Sequence, residues 1–386
     1  MLTPEQKAAV SEILEMYDDG ARAATLSGGP GTGKTFTVGE IVKAFVRRGK
    51  SVAVAASTNR ALSIVNRKAT EQGWWRYVQW WGTAHKLMGW VVGDDGNTRH
   101  LGRTKAADFD IVVVEEASML GSEMVHAILE AAVWVLFVGD RDQAPPIGED
   151  TSPLFIIGGP KLLKNMRQKD ERITALVEYT RRAIAEQLDG IPMSLVAPFA
   201  VRDLREWEAG IKRDPSHAAF VYTNEEVARL NIMIRAGQPD EYVWGDRIIF
   251  RESLRRKVLG RSEVLFAASE TAVVKEATRS KVDDWPVWSL RVRSEENEVN
   301  ERYIYVQDTS DPPYLAWLLE QGVKKPPLAN IHYAHAITTH RGQGGEYDVV
   351  HVNLPDFRRC QSMKERRSLL YVAFSRARKE LRIYTG

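Results

Sequence analysis

The sequence holds a single cysteine, Cys360, among 386 residues. One thiol excludes an internal disulfide and any zinc site built from several cysteines, and it suits a reducing interior. Excess charge is missing too, since 53 basic residues stand against 51 acidic ones, a net of +2. A nucleic-acid partner must therefore meet a local groove and not a global basic field. No apolar run reaches the ~20 residues of a membrane span, and Met1-Leu2-Thr3-Pro4-Glu5-Gln6-Lys7 has no apolar core of a signal peptide. The expectation is a soluble, cytoplasmic protein of two or three domains that does not engage membranes.

What is present is concentrated in Gly28-Gly29-Pro30-Gly31-Thr32-Gly33-Lys34-Thr35, which fits the G-x-x-x-x-G-K-[ST] loop that cradles phosphates. Glycines let backbone N–H groups turn inward around a polyphosphate, lysine adds a point charge for the β- and γ-phosphates, and the threonine hydroxyl suits Mg²⁺. The flanks agree with that chemistry. Thr25-Leu26 reads as the end of a short buried strand and Phe36 to Val46 as a helix. Gly31, Thr32, Gly33, Lys34 and Thr35 are thus the nucleotide-binding candidates, with Thr35 also on the metal. Upstream, Thr3-Pro4-Glu5-Gln6 reads as a capping box with proline at the first helical position. Gln6 is equally suited to read adenine through its amide, and the two roles are compatible.

Further along, Ser51 to Ala56 is an apolar run of strand length that ends in Ser57-Thr58-Asn59. Such polar residues either face the crevice where α/β sheets bind ligands or cap the next helix. Residues 74 to 90 carry five of the eleven tryptophans, interleaved with Arg76, Tyr77, His85 and Lys86. Rings beside cations suit single-stranded nucleic acid, yet adjacent residues point apart, so one or two rings at most are expected at a ligand. Gly93 to Asn97 is a turn between Trp90-Val91-Val92 and Thr98 to Leu101, a small hairpin at about 89–104.

Ile111 to Val114 is a fully buried strand pattern closed by Glu115 and Glu116. Two carboxylates at the end of an apolar strand call for a cation: Glu115 suits Mg²⁺, and Glu116 suits the base that handles an attacking water. Val133 to Val138 ends similarly in Gly139-Asp140-Arg141-Asp142-Gln143. Residues 1–158 read as one doubly wound domain. A second α/β pattern occupies 159–241 and 329–386, interrupted over 242–328 by short alternating runs of the kind found in small β-barrels. His332, His335 and His340 lack a cysteine or acidic partner at ligand spacing and are not read as a metal site.

Taken in order, these motifs resemble those of superfamily 1 class B DNA helicases, the RecD type and especially the short phage Dda type, from Leu2 to Ala377. The phosphate loop is similar to motif I. Ser57-Thr58-Asn59 resembles motif Ia, and Thr83-Ala84-His85 resembles motif Ib. Glu115-Glu116-Ala117-Ser118 stands where the family usually has Asp-Glu-Ala-Ser. Gln143 falls in motif III, Arg167 in the Met-Arg-Gln of motif IV, and Thr338 and His340 in motif V. Tyr371 to Ala377 is close to motif VI, with Ser375 for threonine and Arg376 as its arginine.

The resemblance implies two RecA-like domains that close on ATP, a hairpin pin in the first, an SH3-like insertion in the second, and 5′ to 3′ movement on single-stranded DNA. It implies Lys34, Glu116, Gln143, Arg167 and Arg376 as catalytic and Glu346 as a further nucleotide contact. Thr58, Asn59, Thr83, His85, Thr338 and His340 are implied as DNA contacts. ATP and Mg²⁺ are the implied cofactors. Single-stranded DNA and the duplex fork are the implied partners of a monomer that works alongside replication or recombination proteins. An RNA helicase, a protein-displacing translocase and a non-catalytic DNA-binding relic are the competing readings.

Overall fold

The computed structural model describes residues 2–92, 98–100, 103–140, 153–166, 170–188, 190–235, 241–258, 261–295, 299–342 and 345–386. Two units emerge, 1–189 with 367–375, and 190–366 with 376–386. The first therefore runs past the boundary expected at residue 158. A two-residue strand, Lys161–Leu162, pairs in parallel with Ala23–Gly28 and keeps this stretch on the first sheet.

In the first unit, helix α1 (Pro4–Asp18) opens with the expected reciprocal cap: the Gln6 N–H donates to Thr3 Oγ1 at 3.2 Å, and the Thr3 N–H donates to Gln6 Oε1 at 3.0 Å. The strands are β1 (Ala23–Gly28), β2 (Val52–Ala56), β3 (Trp80–Thr83), β4 (Trp90–Val92), β5 (Thr98–His100), β6 (Ile111–Glu115), β7 (Val135–Gly139) and β8 (Lys161–Leu162). The helices after α1 are α2 (Lys34–Arg47), α3 (Asn59–Glu71), α4 (Ala84–Leu87), α5 (Ser122–Ala131) and α6 (Glu171–Ala185). A six-stranded parallel sheet forms in the order β3-β2-β6-β7-β1-β8.

Side-chain alternation divides its central strands between two cores. Val52, Val54, Ile111, Val113, Leu136 and Val138 pack with α1 and α2 residues such as Ile13 and Ile41. Ala53, Ala55, Val112, Val114, Val135 and Phe137 pack on the other side with Met124, Val125 and Ile128 of α5. Burial on both faces explains why these strands read as continuous apolar runs. The strands β4 and β5 pair antiparallel, as the hairpin reading expected, while its turn, residues 93–97, lies outside the described residues. Strand β3 was not anticipated, and it forms the edge of the sheet beside β2.

The second unit combines α7 (Met193–Val196), β9 (Ala200–Val201), α8 (Leu204–Ala209), β10 (His217–Val221) and α9 (Asn224–Ile234) with later segments. Next come β11 (Arg247–Phe250), β12 (Leu254–Val258), β13 (Arg261–Phe266), β14 (Thr271–Val282), β15 (Trp285–Ser294), β16 (Glu301–Gln307), α10 (Pro312–Glu320) and β17 (Ile331–Tyr333). The chain then returns through β18 (Ala336–Thr338), β19 (Tyr347–Asn353), α11 (Leu354–Phe357), α12 (Met363–Ser375) and β20 (Ala377–Tyr384). A parallel sheet runs β18-β10-β19-β20-β9. The interrupting segment is an antiparallel sheet, β16-β15-β14-β11-β17, with β12 and β13 as a separate ribbon.

Polar groups tie these two sheets of the second unit together. Arg247, buried on β11, donates to Glu295 Oε2 at 2.7 Å, to the Tyr347 hydroxyl at 2.8 Å and to the Ala334 carbonyl at 3.2 Å. Within the parallel sheet, His217 on β10 and His351 on β19 stack with ring nitrogens 3.2 Å apart. Burial, then the His217 and Arg382 charges, push the His351 imidazole down to about 3.

Candidate nucleotide and nucleic-acid sites

Strand β1 delivers the loop, and α2 begins at Lys34. Gly33 caps α2 in the left-handed region, φ 85°, and a Cβ there would collide with Gln6 Nε2. Both reasons demand glycine. Lys34 Nζ donates to the carbonyls of Gly28 (2.7 Å) and Gly29 (3.1 Å), while Thr32 Oγ1 donates to the Gly29 carbonyl (2.9 Å). Gly31, also left-handed at φ 79°, accepts from the Met166 N–H at 2.7 Å. Thr35 follows in the first turn of α2, half-buried. Gln6 is tied into this same loop. Its Nε2 donates to the Thr32 carbonyl at 3.2 Å while its Oε1 completes the helix cap, so the amide braces the loop in addition to any role at a base.

The acidic pair stands at the carboxyl end of β6. Glu115 is 3% exposed, and burial, then the neighbouring Glu116 charge, push its carboxyl up to about 7 against the opposing pull of Lys34 and Lys68. Glu116 has left-handed backbone, φ 49° and ψ 38°. For a side chain other than glycine or asparagine this costs about 1–3 kcal/mol and turns the carboxylate out of the strand register.

Among the described residues, four buried oxygens at these strand ends have no hydrogen-bond partner: Ser57 Oγ, Glu115 Oε1, Glu116 Oε2 and Ser118 Oγ. Ser57 is held against β6 by its N–H, which donates to the Glu115 carbonyl at 3.2 Å. Each unsatisfied group costs on the order of 1–3 kcal/mol. Hard oxygen donors, two of them carboxylate, are the donor set that Mg²⁺ and its waters satisfy. The residues present therefore fit the ion.

Asp140, at the end of β7, accepts from the Tyr371 hydroxyl at 2.9 Å. The same hydroxyl lies 2.9 Å from where a Gly29 Cβ would stand, so Tyr371 reaches the phosphate loop as well. The sequence reading assigned no site role to Tyr371, Asp140 or Ser118, and it left Ser57 between the ligand crevice and a helix cap. The signal for the tyrosine and the two serines was their place inside the helicase-like motifs. Gln143 and Arg167 lie outside the described residues.

The first-unit candidates for strand contact collect at the carboxyl ends of β2 and β3, where Ala56 pairs with Thr83. Thr58 Oγ1 accepts from the Ala61 N–H at 3.1 Å and Thr83 Oγ1 from the Lys86 N–H at 3.3 Å, so both hydroxyls cap helices. Asn59 is half-buried at the first position of α3. His85 is half-buried and edge-on to Trp90, with its pKa lowered by burial. Among the tryptophans, Trp74 is buried against Trp81, whereas Trp75 is 49% exposed.

In the second unit, Thr338 is buried at the end of β18 and His340 is exposed, 3.6 Å from Glu365. Arg376 is buried, its carbonyl accepting from the Tyr347 N–H at 3.0 Å and its Nη1 lying 3.5 Å from the Gly345 carbonyl. Glu346 is half-buried between them in sequence.

Family models match at both ends of the chain. An AAA domain covers residues 1–190, and a UvrD-like helicase C-terminal domain covers 333–384. The ATP-dependent RecD2 DNA helicase of Deinococcus radiodurans is 32% identical over 150 residues, 37% of this chain and 18% of that protein. The fold is similar to Bacteroides Pif1 bound to ssDNA, at 16% identity and TM-score 0.60, covering 100% of this chain and 92% of that one. These matches support the resemblance to superfamily 1B helicases of the RecD type, and the fold is that of the Pif1 structures. The conjugal transfer protein TraA of Agrobacterium fabrum aligns with all of this chain at 23% identity, yet the match is 32% of TraA. The chain thus spans about a fifth to a third of the length of these curated relatives.

Proposed function

We propose that this chain is an ATP-driven DNA helicase that moves 5′ to 3′ on single-stranded DNA and is stimulated by it. The observation that carries the reading is the set of four buried oxygens of Ser57, Glu115, Glu116 and Ser118 that lack a partner among the described residues, in the same unit as the phosphate loop. In the proposed reaction Lys34 holds the β- and γ-phosphates, and Thr35 and Glu115 are the Mg²⁺ ligands. Bound Mg²⁺ would neutralise charge on the phosphate oxygens. Glu116 orients the attacking water and takes its proton, Gln143 senses the γ-phosphate, and Arg167 and Arg376 supply cations to the charge that develops there.

Because both arginines are distant in sequence from the loop, ATP binding is proposed to close two RecA-like domains and hydrolysis to let them reopen, and so to advance the strand. Gln6 and Glu346 complete the nucleotide contacts in this scheme. Thr58, Asn59, Thr83, His85, Thr338 and His340 line the strand. The β4–β5 hairpin serves as the separating pin, and the antiparallel insertion is read as SH3-like. The relatives' names support DNA as the substrate: one is called a DNA helicase, and the Pif1 structure is described as bound to ssDNA.

The test is strand displacement on duplexes with a 5′ or a 3′ single-stranded tail, in DNA and in RNA. ATP- and Mg²⁺-dependent separation of the 5′-tailed DNA is expected. Separation confined to 3′ tails or to RNA contradicts the reading, and ATP turnover without separation on any tail favours a translocase.

A further inference from the structure

Strand β19 begins at Tyr347, directly after Glu346, and runs beside β20, which begins directly after Arg376. The Tyr347 N–H donates to the Arg376 carbonyl at 3.0 Å. Two proposed nucleotide contacts therefore meet at one strand end, and the parallel ladder is irregular there. Tyr347 pairs with Ala377 and Val349 with Glu380, so β20 carries one residue more than β19 over the same stretch. A bulge of this kind interrupts the backbone ladder and re-aims nearby side chains, and bulges are common beside active sites.

Side chains hold the bulge in place. On its exposed side Asp348 takes the two extra-length residues, with Arg378 Nη2 at 2.6 Å and Lys379 Nζ at 2.8 Å. On its buried side Arg247, from the inserted antiparallel sheet, donates to the Tyr347 hydroxyl at 2.8 Å and lies 4.6 Å from the centre of that ring. Both residues are nearly inaccessible, at 1% and 2% exposure, so water does not compete for the bond. Glu295 and the Ala334 carbonyl fix the same guanidinium from other directions, which the planar fork of arginine allows. The Tyr347 ring in turn meets Phe220 edge-on at 5.7 Å, and a Cβ at Gly342 would collide with Phe220. One aromatic pair thus lies under both the 338–342 segment and the start of β19.

We propose that Arg247 and Tyr347 are positioning residues for ATP hydrolysis: their buried bond fixes the start of β19, and with it the aim of Glu346 and Arg376. Neither residue touches the nucleotide in this scheme. The inserted sheet bears on turnover through that bond. The inference rests on the proposed helicase reading and adds two residues to its hydrolysis step.

Steady-state ATP turnover at saturating single-stranded DNA tests it with Tyr347→Phe, which removes the hydroxyl and keeps the ring. Charge on the γ-phosphate develops in the transition state, so a misaimed Arg376 should lower kcat and kcat/KM together and leave KM for ATP unchanged. The expected fall is roughly 10–100-fold, with oligo(dT) affinity at the wild-type value. Arg247→Met, which removes the donors and keeps the bulk, should show the same fall. Ile304→Val is the control for stability alone. It lies on β16, separated from β11 by β15 and β14, and trims the insertion's core for a comparable loss of unfolding temperature. Its kcat should match the wild type. A wild-type kcat in Tyr347→Phe overturns the inference, and so does a fall that Ile304→Val reproduces. If the wild type itself shows no turnover that responds to DNA, the helicase reading fails and the inference falls with it.

Discussion

Replacing Glu115 by glutamine should stabilise the protein while disabling its proposed reaction. In the folded chain the Glu115 carboxyl titrates at about 7 in place of its ordinary 4.5, chiefly because burial penalises the charge. At ~1.4 kcal/mol per pH unit the rise corresponds to about 3 kcal/mol. Between those values the native protein retains a proton that the unfolded chain has released. Stability therefore falls as pH rises from about 4.5 to 7, and the whole penalty is present above 7. Glu115→Gln removes the charge and with it the penalty. For a unit of 150–250 residues, ~2–4 °C per kcal/mol gives a gain of at most roughly 6–12 °C at pH 8, vanishing near pH 4.5. Scanning calorimetry of both proteins in EDTA, from pH 5 to 8, measures this. In the wild type, Mg²⁺–nucleotide binding should tighten as pH rises through about 7, because the ion needs the carboxylate. A variant no more stable than wild type at pH 8, or equally favoured at pH 5 and 8, refutes the reasoning.

Three other outcomes are expected. Glu116→Gln should still bind ATP and DNA but hydrolyse about 10²–10⁴-fold more slowly; equal loss of binding in a nucleotide titration would make Glu116 a structural residue. His351 is held neutral by burial, with a pKa of about 3, so the unfolded chain binds an extra proton there, and this residue should cost stability up to about 1.4 kcal/mol per pH unit below 6.5. Denaturant unfolding should show a shallower acid slope for His351→Gln, and an identical slope would assign the acid loss to other groups. Replacing 92–101 by a Gly-Ser linker should spare DNA-stimulated ATP turnover while strand separation drops, and unwinding at the wild-type rate would show that the hairpin is not the pin.

Periodicity made the central strands legible. Ile111 to Val114 and Val135 to Val138 are apolar without interruption because both faces of the sheet are covered. Strand β3 escaped because Trp80 and Trp81, at the sheet edge, are only half buried and show no alternation. Pro312-Pro313 begins α10, where Asp311 Oδ1 accepts from the Tyr314 N–H and proline suits the first turn. Strand β20 was hidden by Arg378, Lys379 and Glu380, all exposed, with inward residues only at Ala377, Leu381 and Ile383.

At the site, residue types gave the loop and the acids, since phosphate and cation chemistry leaves few choices. The left-handed Glu116, the raised Glu115 pKa and the bond from Tyr371 to Asp140 depend on tertiary packing. That last contact joins residues 231 positions apart. No local pattern reports such a pairing.

The central claim is that the Gly28–Thr35 loop binds ATP for hydrolysis driven by single-stranded DNA. The most direct measurement is steady-state ATP turnover with and without single-stranded DNA, for the wild type and for Lys34→Ala. Lys34 Nζ already spans the loop through the Gly28 and Gly29 carbonyls, and its loss removes the fixed cation for the β- and γ-phosphates. The account predicts wild-type turnover that rises on adding DNA and no turnover in Lys34→Ala under either condition. Wild-type turnover that is absent, or that ignores DNA, contradicts it, and so does a Lys34→Ala rate near that of the wild type.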